Sequence, residues 1–309
     1  MEEVIVIVGP TCSGKTKLSL ALAELINSEI ISADSRQVYK YLDIGTAKPE
    51  KRIREKIKHH FVDELFPDQD FNASKFSNAA ESTIKELCDN GKTPMVVGGS
   101  GLYVKALIDG ITESADTNSE LRAELLELRK KMGNEYLYSE LKKADKVSAD
   151  KMLPQNWKRV IRALEVYKLT GKPIWQHHRE ENRQNKFRFI QIGLKWDREF
   201  LYSNIEKRVD KMIDAGLIEE VENILNMGYS KTINALNTVG YKEIIEYLDS
   251  KISLDRAIEL IKRNTRRYAK RQMTWFNGDK RIEWHKITSV TDLINLAEII
   301  AKDFYERKN

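Results

Sequence analysis

A chain of 309 residues can bury a large core and has room for one domain carrying an insertion, or for two domains. Its 32% charged and 41% hydrophobic content excludes extensive disorder, and 52 Lys and Arg against 47 Asp and Glu leave +5, a mild excess that suits an anionic partner without requiring one. Cys12 and Cys88 cannot build a disulfide framework, no apolar run approaches the ~20 residues that span a bilayer, and the first ten residues lack the basic stretch of a signal peptide, so a cytoplasmic protein with no membrane partner is expected.

Residues 4–8, β-branched and closed by Gly9-Pro10, predict a buried parallel strand, and the apolar spacing over 17–26 predicts a helix after it. Residues 30–32 and 95–97 read as further short strands, with a helix over 73–87 between them. Such alternation implies a parallel sheet with helices on both faces. After Gly110 the pattern changes: Leu121, Leu125, Leu128 and Met132 recur at helical spacing, and no strand is read before 187–194. A helix through 159–169 stops at Thr170-Gly171 with Pro173 beyond, and 176–186 reads as an exposed return linker. Two more apolar helix faces follow, one through Phe200, Ile205, Val209 and Leu217, the other through Leu254, Ile258, Ile261, Tyr268 and Trp275. The expected class is α/β, with a parallel-sheet core begun in 1–111, a mostly helical insertion over 112–186, and core completion with a helical C-terminal region over 187–309.

Gly9, Pro10, Thr11, Cys12, Ser13, Gly14, Lys15 and Thr16 match the pattern G-x-x-x-x-G-K-[ST], set between a predicted strand and a predicted helix as that motif requires. The core is therefore expected to be P-loop NTPase-like. The glycines let the backbone curl so that successive N–H groups face phosphate oxygens, the helix N-terminus adds a positive dipole end, Lys15 adds a charge, and Thr16 can hold Mg²⁺. A glycine-rich turn that binds nothing is the plain alternative. The motif alone points to a nucleotide, yet the strand over 95–97 runs into Gly98, Gly99, Ser100 and Gly101, which bring no carboxylate to a metal; the nearest candidate acid is Asp34.

The stretch ISADSRQVYKYLDIGTAKP (31–49), with GPTCSGKT before it and GGSGLYVKAL (98–107) after it, resembles tRNA dimethylallyltransferases, also called tRNA isopentenylpyrophosphate transferases. KRVIRALEV (158–166), NTVGYKE (237–243) and TRRYAKRQMTWF (265–276) extend the resemblance over nearly the whole chain, and no C-terminal zinc-finger extension of the eukaryotic kind is present, which points to the bacterial type. The resemblance implies transfer of a dimethylallyl group from dimethylallyl diphosphate to the N6 of the adenine next to the anticodon, on its 3′ side, in tRNAs reading codons that begin with U. It further implies a P-loop that holds the donor diphosphate with Mg²⁺, Asp34 as general base, and Ser35, Arg36 and Gln37 in the acceptor pocket. Ser100 stands for the family's Thr, Cys12 for its frequent Ala, and Arg208 for an Arg near the donor diphosphate. Contact with the tRNA anticodon stem-loop is implied for Arg122, for Lys158, Arg159, Val160, Ile161 and Arg162, and for Asn237, Thr238, Val239, Gly240, Tyr241 and Lys242, with the insertion as a clamp on a protein acting as a monomer.

Each assignment has a blander counterpart. Asp34 after a strand can be a helix N-cap with no chemistry or an outer ligand of the metal, and Arg208 can pair with Glu206 or Asp210 on its own helix. Six cations between Lys262 and Arg271 read as a phosphate footprint or as a solvated basic face, with Tyr268 and Trp275 packed inward. The pairs His59-His60 and His177-His178 lack partners at metal-ligand spacing. Prenyl transfer to free adenylate, a small-molecule kinase and a non-catalytic RNA-binding module are the rival functions.

Overall fold

The computed structural model describes residues 2–110, 118–174, 176 and 186–308. The chain runs β1 (Glu2–Val8), α1 (Lys15–Leu25), β2 (Ser28–Ala33), α2 (Lys51–Lys56), β3 (His59–His60), α3 (Ala73–Asp89), β4 (Thr93–Gly98), α4 (Gly101–Asp109), α5 (Ser119–Ala144), α6 (Lys146–Ala149), α7 (Trp157–Thr170), β5 (Phe187–Trp196), α8 (Arg198–Asp214), α9 (Leu217–Asn226), α10 (Tyr241–Leu248), α11 (Leu254–Phe276), β6 (Glu283–Ile287) and α12 (Val290–Lys308). Contacts divide it into two compact units, Met1–Ile108 with Asn185–Asn309, and Asp109–Gln184.

The first unit is built on a six-stranded sheet of order β3-β2-β4-β1-β5-β6, parallel throughout. The central strand β1 carries Ile5 and Ile7 on one face, where they pack with Leu18 and Leu22 of α1 and with Leu293, Leu296 and Ala297 of α12. Strand alternation sends Val4, Val6 and Val8 to the other face, and these are equally buried. On that side α3 packs against β2 and β4, its start fixed by the Asn72 side chain, which accepts from the Ser74 and Lys75 amides at 3.0 Å each. The fold is thus the P-loop NTPase-like α/β class expected. The edge strands β3 and β6 were not read from the sequence: β3 has two residues and β6, EWHKI, buries only Ile287.

Register places the functional loops. Val8 of β1 and Ala33 of β2 both pair with Gly98 of β4, so three strands end at one level and Gly9, Asp34 and Gly99 emerge side by side. At ~4.8 Å per strand, the loop after β1 and the turn after β2 start about 10 Å apart. A side chain at position 98 would collapse this arrangement, since a Cβ there would lie 2.1 Å from the Ala33 carbonyl oxygen.

The second unit has its own core, formed by Leu125, Leu137, Leu141, Ala149, Val160, Ile161, Ala163 and Leu164. Gly133 (φ 85°, ψ 176°) breaks α5, and Met132, just before the break, is exposed although it continues the spacing of Leu121, Leu125 and Leu128. Helix α7 ends at Gly171 in a left-handed conformation (φ 71°), the stop expected there. His177 and His178 lie outside the described residues.

Gly98→Ala is expected to lower stability by ~1–3 kcal/mol through forced displacement of β2 from β4. Urea titration checks this, and an unchanged midpoint would show that the two strand ends are not held as tightly as the register requires.

Candidate active site

The loop between β1 and α1 is shaped as an anion cradle. Its backbone passes through the left-handed region at Cys12 (φ 63°) and Gly14 (φ 88°), which turns consecutive N–H groups to one side. Helix α1 starts at Lys15 without a side-chain cap, so its first amides are open to a ligand. The Trp196 indole N–H, from the end of β5, donates to the Ser13 carbonyl at 2.8 Å and braces the loop from behind. Lys15 folds over it and donates to the carbonyls of Gly9 (3.0 Å) and Pro10 (2.7 Å). Burial pushes the Lys15 ammonium down to about 8, with Arg208 acting in the same direction and Asp34 against it.

Arg208 reaches the cradle from α8. Its guanidinium donates to the Thr11 hydroxyl (3.2 Å) and to the Thr46 carbonyl (3.4 Å). The acids once considered as its partners are engaged elsewhere, Glu206 with Arg266 (2.6 Å) and Asp210 with Lys262 (2.5 Å). The loop that supplies Thr46 is fixed by Glu220 of α9, whose carboxylate accepts the amides of Asp43, Ile44 and Gly45 at 2.6–3.1 Å and the Tyr241 hydroxyl at 2.5 Å.

Two strands from β1, at the end of β2, stands Asp34. Its Oδ1 accepts the amides of Arg36 (2.8 Å) and Gln37 (3.3 Å), which is the turn-capping role, while Oδ2 has no hydrogen-bond partner among the described residues. Ser100 Oγ accepts the Ser35 amide at 3.1 Å, tying the turn after β2 to the turn after β4. Tyr268 of α11 lies in the same neighbourhood: burial and the Asp34 charge push its phenol up to about 12, opposed by Arg36, by a hydrogen bond with Ser100 and by Arg271. The cradle residues 11–16, then Asp34, Ser35, Arg36, Gln37, Arg208, Asn237, Thr238, Val239, Gly240 and Lys242 line one cleft of about 880 Å³, together with Arg267, Tyr268, Arg271 and Gln272 of α11. That is room for a small diphosphate and a nucleobase together.

Residues 37–279 match the family model described as IPP transferase. The chain belongs to the IPP transferase family. Similar to this family member are a curated tRNA dimethylallyltransferase of Acetivibrio thermocellus, 51% identical with 92% of this chain and 91% of the relative covered, and one of Alkaliphilus oremlandii, 45% identical over 98% and 97%. Among solved structures it resembles the tRNA isopentenylpyrophosphate transferase of Bacillus halodurans, at 36% identity and TM-score 0.73 over 100% of this chain and 98% of the other. It also resembles a eukaryotic dimethylallyltransferase acting on tRNA, at 29% identity and TM-score 0.84 over 99% and 80%.

Some residues singled out from the sequence are turned into the interior of their own unit or paired with a buried acid. Val160 and Ile161, carried along with the KRVIR segment, are buried in the core of the second unit and present no side chain to RNA, whereas their neighbours Lys158 and Arg159 are exposed. In the same unit Arg122 (3.6 Å) and Arg162 (3.0 Å) both pair with the fully buried carboxylate of Glu165. Tyr241 is buried too: its ring fills the space a Cβ on Gly45 would occupy and its hydroxyl goes to Glu220, so it shapes the 237–242 segment from behind. On the basic helix α11, Lys262 and Arg266 bind the acids of α8, while Arg267, Lys270 and Arg271 are exposed; Trp275, expected to pack inward, is 42% exposed. Of the paired histidines, His60 bonds Glu29 (2.7 Å) and His59 the Ile57 carbonyl (2.7 Å).

Sequence reasoning missed Glu220, Glu243 and Gln272, and it read Tyr268 only as an inward-packing ring although it lines the cleft. Glu243 accepts the Gly240 amide (2.8 Å) and the Asn264 side-chain amide (2.7 Å), joining the 237–242 segment to α11. The capping-box spacing of Glu243, three residues after Gly240, was a usable local signal; the partners of Glu220 and Gln272 lie far off in sequence.

Lys15 yields a pH prediction. In the empty protein it loses its proton as pH rises through about 8, and a bound anion favours the charged form, so diphosphate affinity should hold below that pH and fall above it. Calorimetry with inorganic diphosphate, referred to Lys15→Arg, whose charge does not titrate, checks this; parallel profiles for the two proteins would contradict it.

Proposed function

We propose that the protein transfers the dimethylallyl group of dimethylallyl diphosphate to N6 of the adenine on the 3′ side of the anticodon, in tRNAs reading codons that begin with U, with release of diphosphate. The observation that carries this reading is one cleft holding both an anion cradle at the end of β1 and, at the end of β2 two strands away, a carboxylate with an open oxygen. Curated relatives named tRNA dimethylallyltransferase and a solved neighbour described as acting on tRNA support it.

In the reaction the C–N bond forms between the adenine amine and the allylic carbon, the allylic C–O bond breaks with its electron pair going to diphosphate, and the N6 proton goes to Asp34. The amine is a weak nucleophile because its lone pair is delocalised into the ring, so removal of that proton as the bond forms is where a base helps most. The open amides at the start of α1, Lys15 and Arg208 hold the charge that grows on the departing diphosphate. Thr16, exposed in the first turn of α1, offers a hard hydroxyl oxygen, which fits a Mg²⁺ that takes one or two protein ligands and completes its shell with phosphate oxygens and water. Such an ion would neutralise diphosphate charge. Ser35, Arg36, Gln37, Ser100 and Asn237, Thr238, Val239, Gly240 and Lys242 form the acceptor side, and the adenine must leave its stack to enter. Arg267, Lys270, Arg271, Lys158 and Arg159 offer cations to the RNA backbone. No helix among the described residues is long and apolar enough to cross a membrane; the reading is of a cytoplasmic enzyme that acts as a monomer.

Incubation with labelled dimethylallyl diphosphate, Mg²⁺ and unmodified tRNA should place label in the RNA, whereas label in free AMP, or consumption of ATP, would favour a rival activity. Asp34→Asn is expected to slow transfer ~10²–10⁴-fold with tRNA binding near wild type; retention of most of the rate would remove Asp34 as the base. Arg267→Gln and Lys270→Gln should each reduce the salt slope of tRNA binding by ~1. Lys262→Gln, at a position already neutralised by Asp210, should change it less, and equal effects at all three would deny that distinction.

A further inference from the structure

Beyond the last rung of the β1–β4 ladder, at Val8 and Gly98, no backbone pairing holds the loop after β1 to the turn after β4. The side chain of Gln272 supplies what is missing. Its Oε1 accepts the Thr11 amide at 2.8 Å and its Nε2 donates to the Gly99 carbonyl at 3.0 Å, so one planar amide completes a rung that the two backbones cannot make alone. The residue is 6% exposed, and the room it occupies is taken from position 99: a Cβ there would lie 2.2 Å from Nε2.

The two anchors belong to different halves of the cleft. Thr11 lies in the anion cradle, with its hydroxyl on Arg208; Gly99 precedes Ser100, which holds the Ser35 amide beside Asp34. Tyr268, one turn before Gln272 on α11, shares its helix face and stands beside Asp34 and Ser100. Only a side chain with a donor and an acceptor on one rigid plane satisfies both anchors. Glutamate in the ionised form would keep the bond to Thr11 and set a second acceptor against the Gly99 carbonyl; leucine would leave both backbone groups buried without partners.

We propose that Gln272 is a positioning residue that fixes the donor cradle relative to the acceptor turn, so that it governs the rate of the bond-forming step and leaves the binding of either substrate largely unaltered. The inference rests on the transfer reading above. Gln272 touches neither reacting group; it sets the distance between the loops that do, and misplacement of about 1 Å in such a frame costs on the order of 100-fold in rate.

The test uses the full chain with Gln272→Glu and Gln272→Leu. Single-turnover transfer is measured at saturating dimethylallyl diphosphate and tRNA, with separate equilibrium titrations of each substrate and thermal unfolding of each variant. The rate at saturation should fall about 100-fold while both dissociation constants stay within about threefold of wild type. Because Gln272→Glu keeps one of the two bonds, it decides the matter if Gln272→Leu fails to fold. A rate within about twofold of wild type would overturn the proposal, as would weakened donor binding with an unchanged rate at saturation, or a loss fully accounted for by a smaller fraction of folded sites. Absence of any adduct with the wild-type protein would instead defeat the transfer reading itself, and it is seen without any variant.

Discussion

Three parallel strands end on one row, with Gly98 flanked by Val8 and Ala33, and the site follows from that constraint. Peptide spacing in a sheet is fixed at ~4.8 Å, so the loop after β1 and the turn after β2 cannot drift together or apart while β4 lies between them. The middle strand must then end without side-chain bulk, because a Cβ at Gly98 would strike Ala33 and one at Gly99 would strike Gln272. The glycines that deprive this strand of a Walker-B carboxylate are the ones that let its neighbours' loops stand close. The P-loop is kept, and the position where a nucleotidase would carry its metal-bound acid is given to close packing.

Long-range polar contacts finish what the sheet begins. Glu220 gathers three successive amides of the Asp43–Gly45 loop and the Tyr241 hydroxyl, which sets the Thr46 carbonyl where Arg208 can use it. Helix α8 presents its acids to α11 and its Arg208 to the cradle, so opposite faces of one helix separate scaffold charge from site charge. Burial is what lowers the Lys15 ammonium to about 8, with Arg208 adding to it and Asp34 opposing. An arriving diphosphate supplies the counter-charge that a buried ammonium lacks, which is a physical reason for the site to prefer a polyanion to water.

Much of the architecture could be read from the chain because its signals are local. The run Val4–Val8 followed by GPTCSGKT announces strand, cradle and helix within thirteen residues, and the stop at Thr170-Gly171 is a contiguous pattern as well. Edge strands escaped because burial, the property that makes a strand conspicuous, is weakest there: His59–His60 is two residues long and Glu283–Ile287 alternates polar side chains. The same logic divides the candidate site. Asp34 and Lys15 reach the cleft from motifs that could be quoted whole, but quoting motifs whole also swept in Val160, Ile161 and Tyr241, whose positions on their helices turn them into the interior. Gln272 and Glu220 were passed over for the opposite reason. Their partners lie 261 and about 175 positions away, and an uncharged Gln between Arg271 and Met273 carries no local sign that it will reach a phosphate loop.

The central physical claim is that a single cleft seats a diphosphate on the Gly9–Thr16 backbone and an extruded adenine against Asp34. A crystal structure with an anticodon stem-loop RNA and a thio-analogue of dimethylallyl diphosphate, in which sulfur replaces the bridging oxygen and slows departure, tests it most directly. The account requires both phosphates on the cradle amides beside Lys15 and Arg208, with the adenine amine within hydrogen-bond reach of an Asp34 carboxylate oxygen. An adenine seated away from Asp34, or a diphosphate bound anywhere other than the cradle, would contradict it.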